Sequence, residues 1–366
     1  MNATFLGGLT FVLVFAGIIL VHELGHFISA RLFGIEVEEF GFGIPPRIVK
    51  LFRWKGTDFT LNWIPLGGFN KFKGEDDPNT VGGLAAVNPW KRIVVLAAGA
   101  GMNLLTAVVC YTIYFSQIGI PDLKATAIAA VEAGSPAEQA GLQAGDIVTR
   151  AAGIEISTYQ QLLEITYQHL DEPLALDILR DGQPMQLAVT PRSDPPEGQG
   201  PMGIAIGNPL YPASSWFATV PPSLSAVGRD ISSLLALPGR LIAGTISPEE
   251  AQMVGPRTIW NLFQQAVSRD LQSRQPDAGE AAAQPSNYTL IIIMSLTITV
   301  GMFNLVPIPA LDGGRIFMAL TEIVIRRRIP AKYQMAINGF GFMVLVALLG
   351  IFYIKDLISP VVINLP

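Results

Sequence analysis

Two histidines four residues apart interrupt the first apolar segment of the chain. His22 and His26 begin and end the string His-Glu-Leu-Gly-His, which matches the pattern H-E-x-x-H. On a helix, such side chains project from one face about one turn apart, so both imidazoles can bind the same Zn²⁺. Glu23 lies beside them and can accept a proton from a water molecule that the metal activates. The motif predicts a hydrolytic site with one Zn²⁺ per chain.

A third ligand is expected from a carboxylate or imidazole near the end of another apolar segment. Asp312 follows a stretch in which Pro307 and Pro309 break a helix, and two glycines after it let the backbone turn sharply. Irregular backbone at membrane depth is tolerated only where it is buried in protein or lines a cavity, which favours a functional role. The alternative is that Asp312 only caps the helix that follows.

The composition indicates a membrane protein. Of 366 residues, 50% are hydrophobic and 14% are charged, whereas an average soluble domain has about 25% charged residues. The mean hydropathy is +0.42. The net charge of −5 and the lack of a long basic block exclude nucleic-acid binding. A single cysteine, Cys110, excludes a disulfide framework and a cysteine-rich zinc fold.

Four apolar segments are long enough to cross a bilayer, which takes about 20 helical residues. They cover residues 5–30, 93–118, 288–306 and 337–354. The first lacks a basic region before it and continues past the charged motif, so we expect a retained span rather than a signal peptide. Ionisable residues within a span are costly and usually functional. The alternative is that this span ends near Val21 and leaves the motif in interfacial water.

The distribution of lysine and arginine predicts the orientation of the spans. The segments 32–91 and 315–332 are rich in both, whereas residues 121–287 carry only nine. By the positive-inside rule, the two rich segments are cytoplasmic, and the long segment and both termini are outside. His22 and Asp312 then share the cytoplasmic leaflet, provided that residues 224–242 do not cross. Their spacing and charges favour an amphipathic helix at the membrane surface, with a globular helix as the alternative.

The long segment between the second and third spans begins with a β-rich pattern. The string SPAEQAGLQAGD at residues 135–146 resembles the PDZ domain of membrane-bound and periplasmic proteases, a fold that binds extended peptides in a groove. A spacer that binds nothing is the alternative. Polar stretches at 193–201 and 273–287 are expected to be linkers. The pattern predicts strands at 125–131, 174–180 and 185–190, a short helix after Ser135 and a longer helix at 158–170.

These motifs, in this order, resemble the site-2 proteases, specifically the bacterial regulator-of-sigma-E type of intramembrane zinc protease. The resemblance implies that His22, His26 and Asp312 bind zinc and that Glu23 is the catalytic acid and base. It implies that Asn304 binds substrate or stabilises the oxyanion, and that residues 36–75 form a membrane-associated β-hairpin. The family's second span usually reads Gly-Pro-x-x-Asn, and here the asparagine is kept but the proline is not. The substrate-binding residues implied are Gly41, Phe42, Gly43, Gly67, Gly68 and Asn103.

The expected fold is therefore a polytopic α-helical membrane protein with about four transmembrane helices, a membrane-associated β-hairpin and an inserted extracytoplasmic PDZ-like α/β domain. The resemblance implies a multi-pass protein of the cell inner membrane. Its substrates would be single-pass membrane proteins, such as an anti-sigma factor or a signal-peptide remnant, cut after a first extracytoplasmic cleavage. A zinc transporter and a catalytically silent adaptor are the alternatives. The predicted regions are 1–117 with the first two spans, 118–207 for the PDZ-like domain, 208–287 for the amphipathic helix and linker, and 288–366 for the last two spans.

Overall fold

The computed structural model describes residues 3–75, 77, 79–196, 198–245, 254–274, 287–361, 363 and 365. The chain forms two compact units, one of residues 1–114 and 220–366 and one of residues 115–219. The helices are α1 (Ala3–Leu32), α2 (Pro89–Ile118), α3 (Pro136–Gln139), α4 (Tyr159–Gln168), α5 (Val220–Ile242), α6 (Pro256–Gln272), α7 (Tyr288–Leu305), α8 (Asp312–Ile325) and α9 (Ala331–Ile358). The strands are β1 (Val37–Trp54), β2 (Thr57–Phe72), β3 (Ile120–Pro121), β4 (Thr126–Val131), β5 (Ile147–Ala151), β6 (Ile154–Glu155), β7 (Leu174–Arg180), β8 (Gln183–Val189), β9 (Ile204–Gly207) and β10 (Leu210–Tyr211).

Four helices of the described chain, α1, α2, α7 and α9, are long and apolar enough to cross a membrane. They agree in number and place with the four apolar segments. The fourth begins at Ala331, six residues before the predicted start at 337, because Pro330 precedes it and its first turn includes polar residues. Hydropathy alone does not detect such a polar first turn, although the backbone is already helical there.

The helix expected at residues 224–242 is α5, and two of the long helices cover part of its apolar face, while Leu224, Leu235, Leu241 and Ile242 are exposed. Val227 packs with Ala107 of α2 and Ile298 of α7 in one buried cluster. The Tyr111 hydroxyl on α2 donates a hydrogen bond of 2.6 Å to Asp230 on α5. One of the three charged residues that interrupt the apolar pattern of α5 therefore has a partner on α2. The position of α5 at a membrane surface stays a prediction, and most of the linker expected at 273–287 lies outside the described residues.

Helix α6 was not indicated by the sequence pattern, and it packs against α1 through two glycines. A Cβ atom on Gly7 would lie 2.7 Å from the Gln264 Cα atom, and one on Gly8 would overlap the Trp260 ring. Phe11 packs edge-on against Trp260, with ring centroids 5.3 Å apart. The N-terminal half of α1 therefore serves for helix packing, while its C-terminal half carries the histidines.

Two helices of this unit begin at carboxylates that other helices supply. Asp356 of α9 accepts from the backbone N–H groups of Arg257 and Thr258, at the start of α6. Asp270 of α6 accepts from the N–H groups of Tyr288 and Thr289, at the start of α7. The first turns of a helix leave such donors unpaired, and an anion there is also favoured by the helix dipole. These bonds link α6 to α7 and α9.

Strands β1 and β2 form an antiparallel hairpin, as the resemblance implied for residues 36–75, and it is folded so that residues 39–42 pair with 58–61 on one edge and with 68–71 on the other. The base of the hairpin packs on α1, where Phe27, Phe40 and Phe72 belong to one buried cluster. Its outer part exposes large apolar side chains, among them Phe52 and Trp63. Exposed apolar side chains at this density are typical of a surface that contacts lipid or another protein.

The second unit is built on a six-stranded sheet with the order β8-β7-β5-β4-β9, in which β6 pairs with β5. Both helices in this unit start where the pattern predicted. The Ser135 hydroxyl caps α3 by accepting from the Glu138 N–H, and Thr158 and Gln161 form a capping box at α4. β10, which follows residue 207, pairs with β3 within this unit, and the predicted bounds 118–207 stay a prediction. The core lies between the helices and the sheet and includes Ile128, Leu142, Val148, Leu162, Ile165, Leu174, Leu176 and Ile178.

Candidate active site

The two histidines and Asp312 meet in one cluster at the C-terminal half of α1. The Nε2 atoms of His22 and His26 lie 3.0 Å apart, and they lie 2.9 Å and 3.1 Å from Asp312 Oδ2. Both histidines are buried, with exposed fractions of 5% and 4%. The four-residue spacing on a helix brings the two rings together, as H-E-x-x-H predicted. The described residues offer this cluster as a possible metal site.

The donor set and its geometry fit Zn²⁺. Ligand atoms on a tetrahedral zinc lie about 3.3 Å apart, since each bond is about 2.0–2.1 Å long, and the three distances here approach that value. His26 Nδ1 donates to the Val95 carbonyl at 2.8 Å, so in the neutral ring Nε2 carries its lone pair toward the cluster. Two imidazole nitrogens facing each other at 3.0 Å are best accommodated by a cation between them. His22, His26 and Asp312 are thus suited to hold the metal.

Asp312 is the first residue of α8, after the irregular stretch that follows α7. Leu311 is the N-cap of α8 and makes no side-chain cap bond. The Asp312 carboxylate instead faces the imidazoles, so the structure gives no support to the alternative that it only caps the helix. Gly313 and Gly314 are needed here, because a Cβ atom on either would overlap a carbonyl group of the preceding turn. Gly341 of α9 packs on Pro309 in the same way and holds the turn from the other side.

One face of α2 forms the wall behind the histidines. Val95, Gly99 and Asn103 follow at intervals of four and therefore lie on one helix face. A Cβ atom on Gly99 would lie 2.5 Å from His26 Nε2 and 2.8 Å from His22 Cε1. Asn103, which the resemblance implied as substrate-binding, is fully buried, with its Nδ2 atom 3.5 Å from His22 Nδ1. Asn103 therefore contacts the ring of His22, and its role in substrate binding stays a prediction.

Glu23 is held by a residue of the hairpin. The Asn70 Nδ2 atom donates to the Glu23 backbone carbonyl at 2.6 Å and to Glu23 Oε2 at 2.7 Å. Gly67 and Gly68 lie in the same stretch of β2, close to α1. A Cβ atom on Gly67 would lie 2.6 Å from Ile19 Cγ2, and one on Gly68 would contact Glu23 Cγ at 3.7 Å. Gly67 therefore lets the hairpin approach α1, whereas Gly68 is needed within the hairpin, where a Cβ atom would lie 2.8 Å from the Gly41 carbonyl oxygen.

The remaining predicted substrate-binding residues make contacts within their own elements. Gly41 and Gly43 face the opposite strand, and a Cβ atom on Gly43 would lie 2.6 Å from the Ile64 carbonyl oxygen. Gly43 has a φ of 83°, which favours glycine. Phe42 stacks edge-on against Phe40. Asn304 donates to the Val300 carbonyl of its own helix at 3.0 Å. The structure does not bring these four residues to the cluster, and their substrate roles stay predictions.

Three residues that build the site were not singled out by their chemistry in the sequence. Val95 acts through its backbone carbonyl, so its side chain carries no signal. Gly99 has no side chain, but the four-residue interval between Gly99 and Asn103 indicates a shared helix face. Asn70 lies in a strand 47 positions after Glu23, and their contact depends on the fold.

Comparison with known proteins decides the family. The model of a family described as Peptidase family M50 matches residues 10–348. The chain belongs to peptidase family M50. It is therefore a hydrolase of the site-2 protease type, and the part of the chain that the structure describes has four helices long and apolar enough to cross a membrane. The cluster of two histidines and an aspartate offers three ligand atoms that could hold the metal ion of such an enzyme.

Relatives of this M50 peptidase cover nearly its whole length. A protein of Clostridium perfringens named as a zinc metalloprotease is 34% identical over 360 residues, covering 95% of this chain and 98% of the relative. A protein of Campylobacter jejuni with the same kind of name is 29% identical, covering 92% and 89%. Metalloprotease MmpA of Caulobacter vibrioides is 27% identical, covering 88% of each chain.

Proposed function

We propose that this M50 peptidase is an intramembrane zinc metalloprotease that cuts single-pass membrane proteins within or near their transmembrane segments. The observation that carries the proposal is the cluster of His22, His26 and Asp312. The two histidines and Glu23 belong to α1, a helix apolar enough to span a membrane. The relatives named as zinc metalloproteases support zinc as the metal. Three protein ligands form one site, so we expect one Zn²⁺ per chain.

The residues of the cluster divide the chemistry between them. When bound, zinc supplies a Lewis acid that activates water and polarises the scissile carbonyl. His22, His26 and Asp312 are the protein ligands, which leaves a coordination position open for water or substrate. Glu23 accepts the proton of the attacking water and delivers it to the leaving amine. Asn304, near the end of α7, is proposed to bind substrate or to donate a hydrogen bond to the oxyanion.

A helical substrate must unwind before it is cut, because its carbonyl groups are engaged in hydrogen bonds along the helix. Residues 39–42 of β1 are paired on both edges, so the edges that no other described strand covers belong to residues 47–54 of β1 and 67–72 of β2. Pairing of the unwound segment with such an edge would replace the lost backbone bonds. We propose that Gly41, Phe42, Gly43, Gly67 and Gly68 belong to the substrate-binding part of the hairpin.

We further propose that the second unit is a PDZ-like domain on the outer side of an inner (plasma) membrane and that the active site faces the cytoplasmic leaflet. Support comes from the lysine and arginine distribution and from the resemblance of residues 135–146 to PDZ sequences. The substrate class would be anti-sigma factors or signal-peptide remnants of the regulator-of-sigma-E type, shortened beforehand by another protease. The unit would select such shortened chains by size or by their new terminus.

The test compares the intact protein with Glu23→Gln in cells that carry a tagged single-pass reporter. We expect cleavage by the intact protein and none by the variant, with equal zinc content in both, because the substitution leaves the ligands unchanged but an amide cannot accept the proton. Zinc binding without cleavage of several shortened reporters, together with zinc uptake into vesicles, would instead favour a transporter. If the protein shows no cleavage and no zinc uptake, a catalytically silent adaptor would be favoured.

A further inference from the structure

We propose that Asn70 is a positioning residue that holds the Glu23 carboxylate for proton transfer, so that the hairpin completes the active site. The inference rests on the proposed protease function, and it assigns to the hairpin a second role beside substrate binding. It is carried by two short hydrogen bonds from one amide group, at 2.6 Å and 2.7 Å, to the backbone and the side chain of Glu23.

The chemistry of the contact fixes the orientation of the amide. Both groups of Glu23 that face Asn70, the backbone carbonyl oxygen and Oε2, are acceptors when the carboxylate is ionised. The Asn70 oxygen cannot bond to either, so the NH₂ group must face Glu23, as the structure has it. One of its N–H groups is bound to the backbone of α1. Because that bond fixes the position of the Asn70 Nδ2 atom, its second N–H group points at the Glu23 carboxylate.

The backbone around Asn70 is shaped for this approach. Residues 67–70 of β2 lie along one turn of α1, and Gly67 provides the space, since a Cβ atom there would lie 2.6 Å from Ile19 Cγ2. Asn70 itself pairs with Phe40 in the hairpin, and Phe40 is buried in the cluster that joins the hairpin to α1. The backbone of Asn70 is thus held by the strand pairing, and its amide is held through the NH₂ group, since Oδ1 has no hydrogen-bond partner among the described residues.

Glu23 needs such an anchor because its side chain has several rotatable bonds. A glutamate loses rotamer entropy when it is fixed, so without a partner it samples several positions. Displacement of a catalytic group by about 1 Å can lower the rate about 100-fold. The ligands of the metal do not contact Asn70, so loss of the amide is expected to change the turnover and leave the zinc site intact.

The test uses Asn70→Leu and Asn70→Asp, which resemble asparagine in size but cannot donate in the same way. The control is Lys71→Ala, the next residue on β2, whose side chain is exposed and pairs with Glu38 at 2.9 Å. With purified full-length protein and a transmembrane peptide in micelles, we expect kcat to fall about 10- to 100-fold in both Asn70 variants. KM and zinc content should stay within about twofold, and Lys71→Ala should match the wild type.

Each other outcome has a definite meaning. A wild-type kcat in Asn70→Leu overturns the positioning role, and so does a raised KM at unchanged kcat, which would show that Asn70 only docks the hairpin for substrate. Glu23→Gln is run in parallel. If the wild type cleaves, Glu23→Gln is inactive and Asn70→Leu equals the wild type, only this inference is wrong. If the wild type cleaves no substrate, the proposed function itself is wrong, and the role of Asn70 is wrong with it.

Discussion

At the scale of single residues, the site depends on groups that surround the ligands as much as on the ligands. Gly99 is the sharpest case, because a Cβ atom there would lie 2.5 Å from His26 Nε2. We predict that Gly99→Ala displaces the histidine rings and lowers zinc affinity at least about 10-fold. Gly101→Ala is the matched control, since a Cβ atom at this nearby position would have no neighbour within 4 Å. Competition with a chelator measures the zinc affinity of both variants. An affinity of Gly99→Ala equal to that of Gly101→Ala would contradict the prediction.

Asn103 leads to a second prediction at this scale. Its Oδ1 atom is buried without a hydrogen-bond partner among the described residues, while Nδ2 lies 3.5 Å from His22 Nδ1. Turning the amide by half a rotation would let Oδ1 accept from His22 Nδ1–H and direct the Nε2 lone pair to the metal, as Val95 does for His26. We expect Asn103→Leu to weaken zinc binding about 10-fold, measured by the same chelator competition. An unchanged zinc affinity would instead favour the predicted role of Asn103 in substrate binding.

At the scale of elements, prediction from the sequence succeeded where the signal is local. The four spans follow from length and hydropathy, and α3 and α4 follow from Ser135 and Thr158, whose side chains cap them. Helix α6 was missed because the carboxylate at its start, Asp356, lies 99 positions away from Arg257. The full hairpin came only from the resemblance, because its strands are interrupted by prolines and charges. In physical terms, a sequence pattern reports local periodicity, and it does not report partners that the fold brings from afar.

The second unit allows a prediction about pH at this scale. Arg180 donates two hydrogen bonds of 2.7 Å to the buried Asp146 carboxylate. Burial opposes ionisation, but the bonds from Arg180 and from the Gln143 N–H outweigh it and lower the pKa of Asp146. Since the lowered pKa belongs to the folded state, its contribution to stability is complete above the unfolded pKa, about 3.9, and is lost as the pH falls through the folded one.

We therefore expect Asp146→Asn to lower the free energy of unfolding of this unit by about 2 kcal/mol at pH 7. The difference from the wild type should shrink in strong acid, where the wild-type carboxylate is also protonated. Hydrogen exchange of the full-length protein, compared between variant and wild type at each pH, measures this difference. Asp181→Asn, in an exposed turn, is the control and should change stability by less than about 0.5 kcal/mol. A difference that persists unchanged in acid would show that the charge of Asp146 is unimportant.

At the scale of the whole molecule, the candidate site is assembled from distant parts of the chain. His22 and Asp312 are 290 positions apart, yet their types and motifs were enough to predict that they meet. The positions of Val95 and Asn70 were not predictable in this way, because a backbone carbonyl has no sequence signature and an asparagine is common in strands and turns alike. Candidate metal ligands can therefore be named from a sequence by their types and motifs, whereas the residues that contact and orient them require the fold.

The two-unit organisation permits a test of substrate selection. The chain enters and leaves the second unit through one pair of strands, β3 and β10. The Asp122 N–H also donates a hydrogen bond of 3.0 Å to the Pro209 carbonyl. Residues 123–208 can thus be replaced by a short turn that keeps this pair. If the unit selects shortened substrates, the deletion should preserve cleavage of a shortened reporter and add cleavage of the full-length one. The control is the same deletion with Glu23→Gln, which should cut neither reporter. Unchanged selectivity would show that the choice of substrate is made by the helices and the hairpin.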